Sequence, residues 1–236
     1  MSTQLFVAFD DLKDGTPEFL ADICNLSKSG EPFGIKFNLD AVFKLGLPFA
    51  DLVALFKGFG QPVFADLKMW NGSRTMGDIV KKLVALGVDF VNVWSFADKE
   101  MAKAVKAAEG SNTKILGLTV LSHYDNEYCQ KWFKRTLKEA IAEFSVFAIE
   151  TGCNGIIVPG SALDVVKDLK TIKIATGVRP TWYKDDRHAQ EATPAQVVKR
   201  GADFAVCGSP ILKQPTKEEK VAALRRVLEE MRPPAA

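Results

Sequence analysis

Short apolar runs alternate with longer amphipathic stretches along the whole chain. Eight of these runs are four to six residues long and almost entirely apolar, which is typical of strands buried on both faces of a parallel sheet. The runs are Leu5–Phe9, Phe33–Phe37, Pro62–Asp66, Phe90–Val93, Ile115–Val120, Gly155–Val158, Ile172–Ala175 and Phe204–Cys207. Between them, the spacing of apolar residues predicts helices that include Thr75–Leu86, Lys99–Ala108, Tyr128–Glu150 and Lys217–Met231.

This alternation predicts an α/β fold, and eight strands favour a single-domain (β/α)8 TIM barrel, which typically needs about 250 residues. The segments LGVDFVNV and RGADFAVCG repeat one pattern, in which a helix ends at Gly87 or Gly201 and an acidic residue precedes a buried strand. We assign residues 1–231 to the barrel and expect residues 232–236, which hold two prolines, to fray. An open doubly wound sheet is the alternative fold, since only the number of strands argues against it.

Composition and charge narrow the class of protein further. Hydrophobic residues make up 47% of the chain and charged residues 25%, close to the average for globular domains. Since 31 basic residues face 29 acidic ones, we expect no nucleic-acid partner. The N-terminus does not resemble a signal peptide and no apolar run reaches the roughly 18 residues of a membrane span. We therefore expect no membrane partner. The four cysteines are scattered along the chain, as is typical of reduced thiols, so we expect a cytoplasmic protein.

Polar residues that end the apolar runs are the candidates for chemistry, because a barrel carries its active site at the carboxyl ends of its strands. This criterion selects Asp10, Lys36, Asp66, Lys68 and Ser122, together with the glycine-containing segments GVRP and VCGSP. Any one of them could equally be a strand-end residue bonded to a loop. Taken together, they predict a site at one end of the barrel.

The central motif is Asp66-Leu67-Lys68, in which the carboxylate and the ammonium leave one strand on the same side. A lysine held by carboxylates stays protonated and can deliver a proton to a carbanion. Lys36 would add a second cation, and Asp66 could hold both lysines. A purely structural ion pair would give the same sequence, so the motif alone leaves both interpretations open.

The stretch FADLKMWNGSRT resembles the Asp-x-Lys-x-x-Asp signature of the orotidine 5′-phosphate decarboxylase family, which a threonine follows, here Thr75. The segments VAFDD, IKF, LTVLSHYD, GVRP and VCGSPI occur in the order that the family shows. The resemblance implies decarboxylation of orotidine 5′-monophosphate to uridine 5′-monophosphate in pyrimidine biosynthesis, with no cofactor. It also implies that Lys68 protonates a carbanion at C6, that Asp10 contacts the ribose and that Ser122 reads the pyrimidine.

Asn71 stands where the family motif has its second acid. In the family this position reaches the partner subunit's site, so the resemblance implies a homodimer with shared active sites. An amide can form a hydrogen bond but brings no negative charge. We therefore expect the positioning of Lys68 to be weaker here by a few kcal/mol, roughly, in a dry site.

The eighth strand ends in Gly208-Ser209-Pro210, where the family usually has Gly-Arg-Pro with the arginine on the substrate phosphate. Serine and backbone N–H groups can still hold a phosphate, but without a bidentate charged contact. The resemblance places a lid at Thr181–Gln190. There Arg187 or Lys184 could replace the cation and Gln190 could contact the phosphate, although these charges could equally be solvated.

Sugar-phosphate relatives share the third-strand motif and usually bind magnesium through an acidic residue on the second strand. Lys36 stands on that strand here, so we expect no metal. Three further positions depart from the family: Asn38 replaces a common glycine, and tryptophans stand at 70 and 94. Two alternatives therefore stay open: a diverged paralogue acting on another nucleotide or sugar phosphate, and a weakly catalytic nucleotide-binding protein.

Overall fold

The computed structural model describes residues 3–10, 18–184 and 191–232. Eight parallel strands form a closed barrel in which each strand pairs with the next and the eighth returns to the first. The predicted (β/α)8 barrel is confirmed, and the open sheet is wrong. The strands are β1 Gln4–Ala8, β2 Gly34–Asn38, β3 Val63–Met69, β4 Phe90–Trp94, β5 Lys114–Leu118, β6 Gly155–Pro159, β7 Ile172–Thr176 and β8 Phe204–Cys207.

Helices cover the outside of the barrel. Within the described ranges they are α1 Glu18–Lys28, α2 Asp40–Leu45, α3 Phe49–Gly58, α4 Ser73–Ala85, α5 Met101–Ala108, α6 Asn126–Phe133, α7 Leu137–Glu150, α8 Pro194–Lys199, α9 Ser209–Leu212 and α10 Lys217–Glu230. Two 3₁₀ segments, Ser95–Glu100 and Gly160–Val166, follow β4 and β6. None of the helices in the described part is both long and apolar enough to cross a membrane. Residues 233–236 lie outside the described ranges, so the expected fraying of the tail stays a prediction.

The single helix predicted for Tyr128–Glu150 is wrong, because the chain turns between α6 and α7. Lys134 takes a left-handed φ of 58°, which ends α6. Thr136 then begins α7 with a capping box, in which its hydroxyl accepts from the Glu139 backbone N–H and the Glu139 carboxylate accepts from that of Thr136. The apolar spacing continues through the turn, so periodicity alone did not reveal the break.

The amino-terminal half of the barrel interior is filled by phenylalanine rings. Phe6 meets Phe64 and Phe90 edge to face, with ring centroids 5.6 and 5.3 Å apart. Gly34 faces the Phe6 ring, which occupies the space where a Cβ would stand. This end is therefore a packed core, which leaves the carboxyl end of the strands for a polar site.

The repeated glycine-acid-strand pattern joins neighbouring strands. Asp89, just before β4, accepts a 2.7 Å hydrogen bond from the Val63 N–H at the start of β3. Asp203, just before β8, accepts a 2.8 Å bond from the Lys173 N–H of β7. Each carboxylate thus satisfies a backbone donor of the preceding strand. The pattern predicted from the sequence is a device that aligns strands at the closed end of the barrel.

Candidate active site

Four charged side chains form a continuous array at the carboxyl ends of β1, β2 and β3. The Lys36 Nζ lies 3.0 Å from both carboxylate oxygens of Asp10 and 2.7 Å from Asp66 Oδ2. The Lys68 Nζ lies 2.8 Å from the same Asp66 oxygen. The order of charges is therefore negative, positive, negative, positive, and Asp66 lies between the two lysines.

Strand alternation explains why these residues share the interior. Lys36 follows Gly34 by two positions, and Asp66 follows Phe64 by two, so both side chains point into the barrel on the mouth side of Gly34 and Phe64. The chain register places Lys36 beside Phe64 and Asn38 beside Asp66. Lys36 and Asp66 are therefore diagonal neighbours on adjacent strands, and residues that are far apart in sequence meet in the barrel interior.

Because Lys36 and Asp66 are buried, their ionisation depends on the charged groups next to them. Lys36 is 5% exposed and Asp66 is 7% exposed. Burial alone would lower the pKa of Lys36, but the charges of Asp10 and Asp66 outweigh it and hold that pKa above its ordinary value. Burial would likewise raise the pKa of Asp66, but Lys36 and Lys68 hold it well below the usual carboxyl range. Both groups are therefore charged at neutral pH.

Asn92, a buried residue of β4, fixes the array from the other side. Its Nδ2 donates a 2.7 Å hydrogen bond to Asp66 Oδ1, and its Oδ1 accepts a 2.7 Å bond from the Lys68 backbone N–H. Sequence reasoning missed this residue, because Phe90–Val93 was treated as a nearly apolar run. The available signal was a lone amide inside a strand that is otherwise buried and apolar.

Lys68 itself has an unusual backbone. Its φ of 48° lies in the left-handed region, and the pairing of β3 with β4 shifts register between Ala65 and Met69. Bulges of this kind redirect a side chain next to a functional site. The bulge and the bond to Asn92 together fix the backbone of Lys68, whose ammonium lies against Asp66 while a third of its side chain is exposed.

The segment after β5 brings Ser122 and His123 to the same mouth. Ser122 is buried, and the neighbouring His123 lies close enough to Lys68 to be affected by its charge. Burial, followed by the charge of Lys68, lowers the pKa of His123, so its ring is neutral at pH 7. Ser122 is therefore next in sequence to a residue that senses the charge of Lys68.

Gly208 closes the mouth between β8 and β1. A Cβ at this position would lie 2.6 Å from the Ala8 carbonyl oxygen, so glycine is required for the close approach. Ser209 follows at the start of α9 and is partly buried. Because Cys207 pairs with Val7 in the strand register, Gly208 and Ser209 follow β8 at the same end of the barrel at which Asp10 follows β1.

Asn71 and Thr75 lie outside the array of their own chain. Both are exposed, and within the described ranges the Asn71 side chain has no hydrogen-bond partner. Trp70 beside it is 65% exposed and meets Phe96 edge to face at 5.0 Å. Arg187 and Gln190, the predicted phosphate contacts of the lid, lie outside the described residues, and Lys184 is exposed.

An aromatic cavity of about 620 Å³ opens beside the mouth. Trp94 forms one wall and stacks on Phe96 at 4.8 Å. An ion pair between Arg135 and Glu143 lies at its edge. The remaining lining residues are Trp70, Tyr124, Tyr128, Trp132, Phe133, Phe144 and Phe147. Two of the five positions at which the sequence departs from the family pattern, Trp70 and Trp94, therefore line this cavity.

No cluster of three or more His, Cys, Asp or Glu side chains with the geometry of a metal site occurs in the described part of the chain. The two carboxylates of the array are engaged by ammonium groups. A divalent cation at this point would have to displace Lys36 from Asp10 and Asp66. The donor set of the array therefore does not fit a resident metal.

The chain is similar to known proteins over most of its length. A statistical model of the Orotidine 5'-phosphate decarboxylase / HUMPS family matches residues 3–224. Orotidine 5'-phosphate decarboxylases of Streptococcus pneumoniae strains CGSP14 and G54 are each 28% identical over 230 residues, covering 95% of this chain and 93% of theirs.

Two solved structures share the architecture. The crystal structure of orotidine 5'-phosphate decarboxylase from Lactobacillus acidophilus superimposes with a TM-score of 0.77 at 21% identity, covering 99% of this chain and 100% of that one. An uncharacterized conserved protein from Geobacillus kaustophilus gives a TM-score of 0.75 at 19% identity, covering 97% of this chain and 100% of that one. At these identities the two structures establish the barrel fold alone.

Proposed function

The chain belongs to the Orotidine 5'-phosphate decarboxylase / HUMPS family, and we propose that it converts orotidine 5′-monophosphate to uridine 5′-monophosphate and carbon dioxide. The observation that carries this proposal is the alternating array of Asp10, Lys36, Asp66 and Lys68. The relatives described above, which match nearly the full length of the chain, are orotidine 5'-phosphate decarboxylases. This function would place the protein in pyrimidine biosynthesis and in the cytoplasm.

The proposed reaction uses Asp66 and Lys68 in turn. The substrate carboxylate lies next to Asp66, the C6–carboxylate bond breaks, and its electron pair stays on C6 as carbon dioxide leaves. The Lys68 ammonium then supplies the proton that forms the new C6–H bond. Lys68 is suited to this role because Asp66 holds it at 2.8 Å while a third of its side chain stays open to the mouth.

The array would act mainly through charges arranged in advance. Asp66 is buried and held by Lys36, Lys68 and Asn92, so its carboxylate does not need to reorganise as the reaction proceeds. Removing one preorganised electrostatic contact typically costs about 10²- to 10³-fold in kcat. No cofactor is required for this sequence of steps.

The remaining candidate residues would bind the nucleotide. We assign Asp10 to the ribose, Ser122 to the pyrimidine, and Gly208 with Ser209 to the phosphate. Thr75 is assigned to the substrate in the active site that is shared with the partner subunit. The positions of Asp10, Ser122 and Gly208 around one mouth support this assignment. Arg187 and Gln190 stay predicted phosphate contacts.

We further propose a homodimer with shared active sites. Large exposed apolar side chains follow strands β2, β3 and β5 along the chain: Phe43 is 76% exposed, Trp70 65% and Trp132 62%. Such side chains mark an interaction surface when they cluster around one face. A second copy on this face would bring Asn71 of the partner subunit to the lysine array, because Asn71 and Trp70 are adjacent.

A diverged paralogue is the second candidate, and the two departures at Asn71 and Ser209 favour it. Both remove a charged group that the family uses at this mouth. The nucleotide decarboxylase is preferred because Lys36 occupies the second strand, where the magnesium-dependent sugar-phosphate relatives carry an acid. A catalytically weak nucleotide-binding protein would retain the array without needing it.

Carbon dioxide release and nucleotide binding together distinguish the three candidate functions. The purified chain is offered orotidine 5′-monophosphate and, separately, 3-keto-gulonate 6-phosphate, and binding of uridine 5′-monophosphate is measured by calorimetry. The proposal expects release from orotidine 5′-monophosphate alone. Release only from the sugar phosphate would establish the paralogue, and binding of uridine 5′-monophosphate without release from either would establish a binding protein.

A further inference from the structure

The side chain of Asn38 contacts both lysines of the array. Its Oδ1 accepts hydrogen bonds from Lys36 Nζ and from Lys68 Nζ, each at 3.3 Å. Asn38 ends β2, two residues beyond Lys36, and lies beside Asp66 in the strand register. We infer that Asn38 is a positioning residue, which holds the Lys68 ammonium against Asp66 and toward the substrate. The inference rests on the proposed function and deepens it.

The Asn38 side chain forms hydrogen bonds to the array. Within the described part of the chain, its side chain makes no hydrogen bond other than those to the two lysines. By contrast, Asn92 binds the Lys68 backbone, and Asn154 binds the Ile115 backbone N–H at 2.8 Å. A side chain that holds no backbone contributes little to the barrel itself. Its two contacts therefore bear on where the ammonium groups lie.

The charge balance explains why an amide suits this position. Two lysines face two aspartates in the array, which is thus neutral within one chain. A carboxylate at position 38 would lie beside Asp66, where the proposed substrate places its own carboxylate, whereas the additional acid of the family reaches the array from the partner subunit. Because the substrate carboxylate would then meet a second like charge next to Asp66, its binding would weaken. The amide oxygen offers a partial negative charge that orients Lys68 without opposing the substrate.

This argument makes opposite predictions for two substitutions. Asn38→Ala removes the acceptor, so Lys68 loses one of its two anchors and kcat falls roughly 10- to 100-fold, as for other small displacements of a reacting group, while KM changes little. Asn38→Asp keeps the acceptor and adds a charge, so KM rises by about tenfold or more while kcat changes less. A residue that only supported the fold would give no such split between kcat and KM.

A second readout needs no substrate. The ammonium groups of Lys36 and Lys68 are observed by nitrogen NMR in protein labelled with ¹⁵N-lysine, and Lys68→Ala assigns the Lys68 signal. Asn38→Ala is expected to shift both ammonium signals, because one oxygen serves both. Asn154→Ala is the matched control: it removes a backbone-bonded amide at the opposite end of the barrel, so it should lower the melting temperature and leave both signals in place.

The two readouts separate this inference from the proposed function. If the wild-type protein shows no decarboxylation, the proposed function fails, but the NMR comparison still tests the positioning of Lys68. Positioning by Asn38 is wrong if Asn38→Ala leaves the Lys68 ammonium signal unchanged. It is also wrong if the signal moves in an active enzyme and neither Asn38→Ala nor Asn38→Asp alters kcat or KM.

Discussion

Lys36 and Asp66 meet at 2.7 Å inside the barrel, where neither side chain is more than one-tenth exposed to solvent. Taking two charges out of water costs several kcal/mol, roughly, for each ion, and mutual attraction offsets the cost only if both charges are present. Asp66 holds Lys68 with the same oxygen, and Lys36 also holds Asp10. The pair is therefore the point on which the geometry of the site depends.

Removing one partner of this pair should destabilise the protein. We expect Asp66→Asn to lower the free energy of unfolding by about 3–5 kcal/mol, because it leaves Lys36 buried with less compensation. Asp78→Asn, which breaks an exposed ion pair with Lys81 at 3.6 Å, should cost less than about 1 kcal/mol. Urea denaturation measures both. Equal losses for the two variants would show that the buried pair does not support the barrel.

The same pair sets a pH window for stability. The pKa of Asp66 is lowered from its ordinary 3.8, so its stabilising contribution is present above that value and is lost as pH falls through the folded-state pKa. The pKa of Lys36 is raised from 10.5, so its contribution is present below that value and is lost as pH rises through the folded-state pKa. The destabilisation by Asp66→Asn should therefore be constant from about pH 5 to pH 9. A loss that varied strongly inside this window would contradict the assigned charges.

Gly208 is expected to tolerate no side chain. In Gly208→Ala the new Cβ would lie 2.6 Å from the Ala8 carbonyl oxygen and 3.1 Å from the Ala8 Cβ, so the β1–β8 contact must open. We expect a loss of about 1–3 kcal/mol in unfolding free energy. The matched control is Gly58→Ala, because nothing lies within 4 Å of its new Cβ. The steric explanation fails if urea denaturation gives the two variants the same stability.

Restoring the charges that the family uses should raise activity. Asn71→Asp adds the missing carboxylate beside the partner subunit's lysine array, and Ser209→Arg adds a bidentate cation for the phosphate. The double variant should raise kcat/KM by about tenfold or more. Asn71→Leu with Ser209→Arg serves as the control, since leucine has similar size but no charge. If the full double variant leaves kcat/KM unchanged, the assignment of these two positions is wrong.

The exposed aromatic face should hold a second copy of the chain. Trp70→Glu places a charge on a side chain that is 65% exposed at that face, and we expect it to convert the dimer to a monomer. Light scattering after size-exclusion chromatography gives the mass. Val146→Glu, at an exposed apolar position of α7 that does not line the aromatic cavity, should leave the dimer intact. A wild-type protein that is monomeric at all concentrations would contradict the proposed interface.

The barrel could be predicted from the sequence because its strands are short, buried on both faces and eight in number. Strand ends were less accurate: the third run was predicted to end at Asp66, but β3 continues to Met69 through the bulge at Lys68. A left-handed residue at that point depends on pairing with β4, which the sequence of β3 does not contain. The break before α7 had a local signal, the Thr136 capping box, which the continuing apolar pattern obscured.

The charged part of the candidate site followed from strand alternation, which places Asp66 and Lys68 on one side of the barrel wall. The amides did not. Asn92 and Asn38 act through neighbouring strands, so their roles depend on the register that brings Asn38 beside Asp66 and Asn92 beside Lys68. A single sequence shows which residues end a strand, but it does not show which residue of the adjacent strand stands at the same height.

The central claim is that Lys68 is the proton donor of a decarboxylase, and an ultraviolet assay tests it most directly. Loss of orotidine 5′-monophosphate absorbance is followed with the purified wild-type chain and with Lys68→Ala, whose fold is checked by circular dichroism. We predict turnover by the wild-type protein and none above background by Lys68→Ala. A folded wild-type protein that leaves the absorbance unchanged, or a Lys68→Ala variant with wild-type turnover, would contradict the claim.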